Sequence, residues 1–245
     1  MKIIADKKYA YWLAEQTFQK EFYKFPQHDI TYDGMKELLN TNYIQDVSEY
    51  KNKKCIVLGN GGSVLDNERG IDIDKFDLIV RSNLARFEGF EKHVGSRTDI
   101  RFLSHKTFGN TLDKNYSSYE EDYVPNSKQH HLIIRSAGNV GSMIPGFAKN
   151  RNNMFSVLDI EYNKHLDKLV SNNHYCSVGF SAIHTMIDLG CDVYIYGFDF
   201  YNPKKKYHYF EECSPMVQTG RSNHEGDREK EYIMQLIEEG KLKKF

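Results

Sequence analysis

The chain has 245 residues, with 33 Lys and Arg against 34 Asp and Glu, a formal net charge of −1. That length is enough for one α/β domain with its own core. The charge balance excludes the broad basic field with which nucleic acid is bound. With 17 Tyr and 15 Phe against 5 Pro, the composition also excludes low-complexity disorder. No apolar run approaches the length of a membrane span, and the opening MKIIADKKYAYWLAEQ lacks the apolar centre of a signal peptide. The expectation is a cytoplasmic protein, with peripheral membrane attachment left open. The 4 cysteines, Cys55, Cys176, Cys191 and Cys213, have no metal-ligand spacing and read as buried thiols.

In chain order, residues 5–22 predict a helix, with Tyr9, Trp12, Leu13 and Phe18 at helical spacing. After Pro26, residues 33–48 predict a second helix with Met35, Leu38, Leu39 and Tyr43 inward, so residues 1–50 form a helical cover. The run Cys55-Ile56-Val57-Leu58 then reads as a buried strand meeting a glycine turn, Gly59-Asn60-Gly61-Gly62-Ser63. Glycine lets main-chain amides approach a ligand, and a following helix would aim its first amides at an anion. A second strand, Leu78-Ile79-Val80, ends in Arg81-Ser82-Asn83. This is the opening unit of a Rossmann-like nucleotide site, spanning 53–104. It is not an NAD fingerprint: Val64 stands where a third glycine belongs, and the second strand ends in Arg81 and Asn83 rather than an acid. No Gly-Lys-Ser/Thr follows, so it is not a P-loop.

Within that unit Asp72-Ile73-Asp74 has the spacing with which many sugar transferases hold a metal, but it reads as a solvated loop. Phe102 to His105 ends a third strand. Residues 109–130 are polar, Tyr-rich and full of turn formers, and His131 to Ile134 is another strand. Residues 156–171 predict a helix, with Val157, Leu158, Ile160, Leu166 and Leu169 apolar. In 175–201, Ser177-Val178-Gly179 opens a helix with Ile183, Met186 and Ile187 on its core face. Gly190 ends it, Val193 to Tyr196 is a buried strand, and Gly197-Phe198-Asp199 is its exit. Residues 202–223 read as a lid or acceptor loop. A last helix, 226–239, packs Tyr232, Ile233, Leu236 and Ile237.

Several of these stretches together resemble a known family. Cys55-x-x-x-Gly59-Asn60, Arg81-x-Asn83 and Val94-Gly95-Ser96-Arg97-Thr98 look like the large sialylmotif of the animal-type sialyltransferases, glycosyltransferase family 29. Ser177-x-Gly179 with Tyr196-Gly197-Phe198 resembles the small motif, His208-Tyr209-Phe210-Glu211 the third, and His224 with Glu229 the His-x-x-x-x-Glu motif. Bacterial family 42 sialyltransferases are a weaker match, through Gly197-x-Asp199-Phe200-Tyr201 and a histidine opening a late helix. The resemblance implies a single domain over 1–245: a Rossmann-like α/β fold with a mostly parallel central sheet flanked by helices, the sialyltransferase-type variant of the GT-A fold. It implies an inverting, metal-independent transfer of sialic acid from CMP-sialic acid to a galactose-type acceptor hydroxyl, with no cofactor beyond that donor. A CMP-Kdo-dependent transferase and a non-catalytic CMP- or glycan-binding domain are the alternatives.

Asn60 and Asn83 are implied to bind the CMP part of the donor. Gly61, Ser177, Val178, Gly179, Gly197, Phe198 and Asp199 complete the expected substrate-binding set, and Tyr201 and Tyr209 are placed to bond phosphate oxygens. Of the 10 histidines, His208 and His224 match motif positions and are expected to be catalytic. Histidine suits proton transfer near neutral pH. In the animal enzymes a disulfide joins the large and small motifs. Here the matching position falls on Gly190, one residue before Cys191, so Cys55 and Cys191 are expected as neighbours with their pairing left open. No motif encodes the acceptor, the linkage or the oligomeric state.

Overall fold

A computed structural model describes residues 1–19, 32–105, 107, 131–135, 152–171, 174–200, 205–210 and 226–245. They form an α/β fold with parallel strand pairs and flanking helices, the Rossmann-like class expected. The chain divides into two compact units. One is Met1–Val47 with Arg101–Asn163, the other Ser48–Ile100 with Lys164–Phe245.

The first unit contains α1 (Lys7–Gln19), α2 (Tyr32–Asn42), β3 (Ile100–Ser104), β4 (His131–Arg135) and β5 (Met154–Val157). Its strands lie in the order β5-β4-β3, and β4 and β5 are parallel. Leu132, Ile133, Ile134, Phe155 and Val157 are fully buried. Continuous apolar burial of this kind marks a sheet covered on both faces. The helix expected from 156 starts later. Residues 154–157 are strand, and Asp159 caps α5 (Ile160–Val170) by accepting the Glu161 N–H at 2.9 Å. Trp12 is 50% exposed and stacks on Tyr9 rather than packing inward. The buried His131 has a defined tautomer. Ser156 Oγ gives its proton to the Ile44 carbonyl, so it accepts from His131 Nε2–H at 2.6 Å.

The second unit contains β1 (Lys54–Leu58), β2 (Leu78–Ser82), β6 (Asp192–Tyr196) and β7 (Lys243–Lys244), in the order β2-β1-β6-β7. The pairs β1/β2, β1/β6 and β6/β7 are all parallel. Around them lie α3 (Gly70–Ile73), α4 (Glu91–Val94), α6 (Val178–Asp188) and α7 (Gly226–Glu238). Ile56, Leu58, Val64, Ile73, Phe76, Ile79, Val94 and Tyr209 form one buried cluster. No long helix follows the glycine turn; a single 3-10 segment, Gly62–Asp66, stands there before α3. Among the described residues no helix is long and apolar enough to cross a membrane.

Candidate active site

Strand β1 has β2 on one side and β6 on the other, so the chain reverses its direction of progress across the sheet at β1. In open α/β sheets a ligand crevice lies outside the strand C-termini at such a point. The exits of these three strands carry most of the expected binding residues: Asn60 and Gly61 after β1, Asn83 after β2, and Gly197, Phe198 and Asp199 after β6. Asn83 has φ +49°, a left-handed conformation that asparagine tolerates better than most residues. Asn60 Nδ2 lies 3.5 Å from the Ser82 carbonyl, which holds the two asparagine-bearing exits together. Asn60 Oδ1 is buried and has no hydrogen-bond partner among the described residues.

The β1 and β6 exits cross without space for side chains. A Cβ on Gly59 would stand 2.6 Å from Gly197 C, and Gly197 itself has φ +79°. The Phe198 ring is wedged beside them, 2.9 Å from where a Cβ on Gly179 would be. The small motif therefore closes on the large one through backbone and one aromatic ring.

The glycine turn differs from the anion cradle expected of it. Gly61 N–H donates to Gly197 O at 3.0 Å and Gly62 N–H to Lys206 O at 3.0 Å. Ser63 N–H donates to Asp199 Oδ2 at 2.9 Å. These amides are occupied by the protein itself, and one faces a carboxylate. The glycines serve the close crossing.

A short segment, 205–210, docks on this turn. Besides the Gly62–Lys206 bond, Tyr209 N–H donates to Asn60 O at 2.9 Å, and Lys205 pairs with Asp66 at 2.6 Å. His208 is thereby held one residue from the Asn60 contact. Its half-buried ring lies stacked on Phe210 (centroids 5.2 Å, 12° between planes) and against Tyr207 (4.5 Å). Tyr209 is 2% exposed, its hydroxyl donates to the Arg86 carbonyl, and its ring meets Phe90 and Phe210 edge-on. It packs the segment down. Tyr201 and His224 lie outside the described residues, as do Cys213 and most of the 202–223 loop.

Ser177 and Val178 start α6. Ser177 is its N-cap, accepting the Phe180 N–H at 3.0 Å, and Val178 is buried. The N–H and hydroxyl of Ser177 both donate to Glu229, at 2.6 and 2.7 Å. Glu229 is 4% exposed on α7, where it shares a face with buried Ile233 and Leu236. This clamp joins the last sequence motif to the small one. Its signal was a carboxylate in phase with the apolar positions, which must find a donor.

The Val-Gly-Ser-Arg-Thr stretch is a lock. Arg81, fully buried, donates to Thr98 Oγ1 (2.9 Å) and to the carbonyls of Val94 (2.7 Å) and Arg97 (3.1 Å). Arg97 pairs with Asp99 (3.1 Å) and donates to the carbonyls of Asp74 (2.6 Å) and Phe76. Ser96 donates its N–H and hydroxyl to the Asp74 carboxylate, both at 2.9 Å. Asp72 pairs with Lys75 at 2.7 Å. Both acids of the Asp-x-Asp triplet thus have protein partners.

Cys55, Cys176 and Cys191 are free thiols. Cys55 and Cys191 are neighbours: a thiol hydrogen bond to Cys191, reinforced by burial, pushes Cys55 well above the usual thiol range. Cys191 in turn donates to the Tyr50 carbonyl at 3.1 Å.

Known proteins resemble this chain in sequence and in fold. A family model described as glycosyltransferase family 29 (sialyltransferase) matches residues 5–241. A rat CMP-N-acetylneuraminate-beta-1,4-galactoside alpha-2,3-sialyltransferase is 24% identical over 216 residues, covering 76% of this chain and 55% of the relative. A chicken CMP-N-acetylneuraminate-beta-galactosamide-alpha-2,3-sialyltransferase 1 is 25% identical over 256 residues, covering 99% of this chain and 72% of the relative. The chain thus spans about half the length of the rat protein. The crystal structure of a mammalian sialyltransferase superposes with a TM-score of 0.64 at 19% identity, over 100% of this chain and 90% of the other, a likeness of fold.

Proposed function

The chain belongs to glycosyltransferase family 29, the sialyltransferases, and from that membership we propose that it transfers sialic acid from CMP-sialic acid to a galactose-type acceptor hydroxyl, with inversion and without a metal ion. The observation that carries the reading is the docking of residues 205–210 on the β1 exit, where Tyr209, the neighbour of His208 in the chain, bonds the Asn60 carbonyl. The buried Asn60 Oδ1 suits a ligand donor, since leaving such an oxygen unpaired costs about 1–3 kcal/mol.

CMP leaves as a phosphate monoester, whose growing charge hydrogen bonds and a cation can meet. His208 supplies part of this. Tyr209 is committed to the Arg86 carbonyl, so the assisting tyrosine hydroxyl is assigned to Tyr201. The acceptor hydroxyl must lose its proton as it attacks, and His224, two residues before α7 begins, is the general base. Glu229 is read as a positioning residue. Its clamp on Ser177 fixes the start of α7 against the start of α6. The protein partners of Asp72 and Asp74 support reading them as structural and favour activity in EDTA.

The test is CMP release from CMP-sialic acid and from CMP-Kdo, with a panel of galactosides, in EDTA. The reading expects acceptor-dependent release from CMP-sialic acid. It expects losses in kcat of about 10²–10³-fold in His208→Ala and about 10²–10⁴-fold in His224→Ala, the latter with CMP binding retained. Tight CMP binding with neither transfer nor slow donor hydrolysis would favour a non-catalytic binding domain, and release from CMP-Kdo alone would reassign the donor.

A further inference from the structure

We propose that Asp199 reads the ribose of the bound nucleotide, so that the glycine turn faces the sugar and not the phosphate; this rests on the CMP-donor reading above. The turn lies at the switch point where a nucleotide is expected, yet its amides are spent: Gly61 on Gly197 O, Gly62 on Lys206 O, and Ser63 on Asp199 Oδ2. Gly61 has no Cβ because the Asp199 side chain occupies that space, with Cγ 2.5 Å from where a Cβ would be. A carboxylate lying flush on the turn accepts hydrogen bonds and repels anions. A phosphate is matched to neither property. A ribose, with its hydroxyl donors and no charge, is matched to both.

Asp199 is half-buried, and only its Oδ2 is used. Oδ1 has no hydrogen-bond partner among the described residues. The Ser63 bond holds Oδ2 on the turn and the side chain lies against Gly61, which leaves Oδ1 as the open acceptor. Carboxylates at strand ends of dinucleotide folds hold ribose hydroxyls by the same chemistry, although from a different strand. The phosphate is then left to side-chain donors, among them His208 on the docked segment.

The test is calorimetric titration of the full chain, wild type and Asp199→Asn, with CMP, 2′-deoxy-CMP and 3′-deoxy-CMP. Thermal melts check that the variant is folded. The wild type is expected to bind at least one deoxy analogue about tenfold or more weakly than CMP, as loss of one hydrogen bond to a charged acceptor implies. In Asp199→Asn, which keeps an oxygen for Ser63 N–H, that preference should shrink to about threefold or less, mainly through weaker CMP binding. Equal binding of all three ligands by the wild type would overturn the proposal whatever the variant does. So would a variant that binds all three more tightly, the sign of a phosphate near the carboxylate, or one that weakens all three alike, the sign of a structural role only. A wild type that binds none of the three overturns the donor-site reading itself.

Discussion

Replacing Glu229 by alanine should be among the most costly single changes in the second unit. The carboxylate is nearly inaccessible and accepts two charge-assisted bonds from Ser177, at 2.6 and 2.7 Å. Bonds of this kind are worth about 1.5–3 kcal/mol each. Their removal also strands the Ser177 N–H at the head of α6, and a buried donor left unsatisfied costs about 1–3 kcal/mol. Glu229→Ala is therefore expected to lose about 3–5 kcal/mol in urea unfolding at neutral pH. Glu229→Gln keeps one acceptor and should lose about half of that. Ser177→Ala removes only the hydroxyl. In a double-mutant cycle with Glu229→Ala the coupling should reach about 1.5 kcal/mol or more, well beyond the few tenths seen between independent sites. An alanine variant within about 1 kcal/mol of wild type, or additive behaviour in the cycle, would refute the clamp and with it the argument that α7 is positioned by α6.

Gly59→Ala should destabilise by more than about 2 kcal/mol or prevent folding, because the new methyl meets the Gly197 backbone. Gly89→Ala, with φ +82° and no atom near, should cost only about 1 kcal/mol, and paired denaturant melts compare the two. Burial lowers the buried His131 from 6.5 to about 4, so the unfolded chain takes up a proton that the folded one refuses. Stability should hold above pH 6.5 and fall progressively as the pH drops from there toward 4, by up to about 3 kcal/mol. His131→Gln should flatten that limb of the urea-stability profile. In the folded protein an alkylating reagent should label the partly exposed Cys191 before the buried Cys55 and Cys176, as peptide mass mapping would show; Cys55 reacting first would contradict the hydrogen-bond order.

Strands β1 and β6 were legible because each is a short apolar run ending at a glycine, and parallel buried strands need little more. Strand β5 was not, because Met154–Val157 runs into Leu158 and Ile160 at spacings that also fit a helix. Only the Asp159 cap separates the two elements. Trp12 fitted a helical stripe, but the pattern cannot say which aromatics of a stripe reach the core. The glycine turn was readable, whereas the partners of its amides were not. Whether those amides face a ligand depends on Asp199, Gly197 and Lys206, all more than a hundred residues away in the chain. The roles of Arg81 and Glu229 escaped for the same reason. A charged residue within an apolar pattern announces that it has a partner without naming it. Motif resemblance supplied the order of the blocks, and the hydrogen bonds then showed which members, such as Arg97 and Ser96, hold the fold.

The proposed reaction moves sialic acid from CMP to a galactoside with inversion. An NMR time course of the protein with CMP-sialic acid and a β-galactoside in EDTA tests it most directly. CMP-sialic acid carries its sugar in the β configuration, so an α-linked sialoside should accumulate in step with free CMP. A β-linked product, or donor that survives unchanged beside every galactoside tried, would contradict the account.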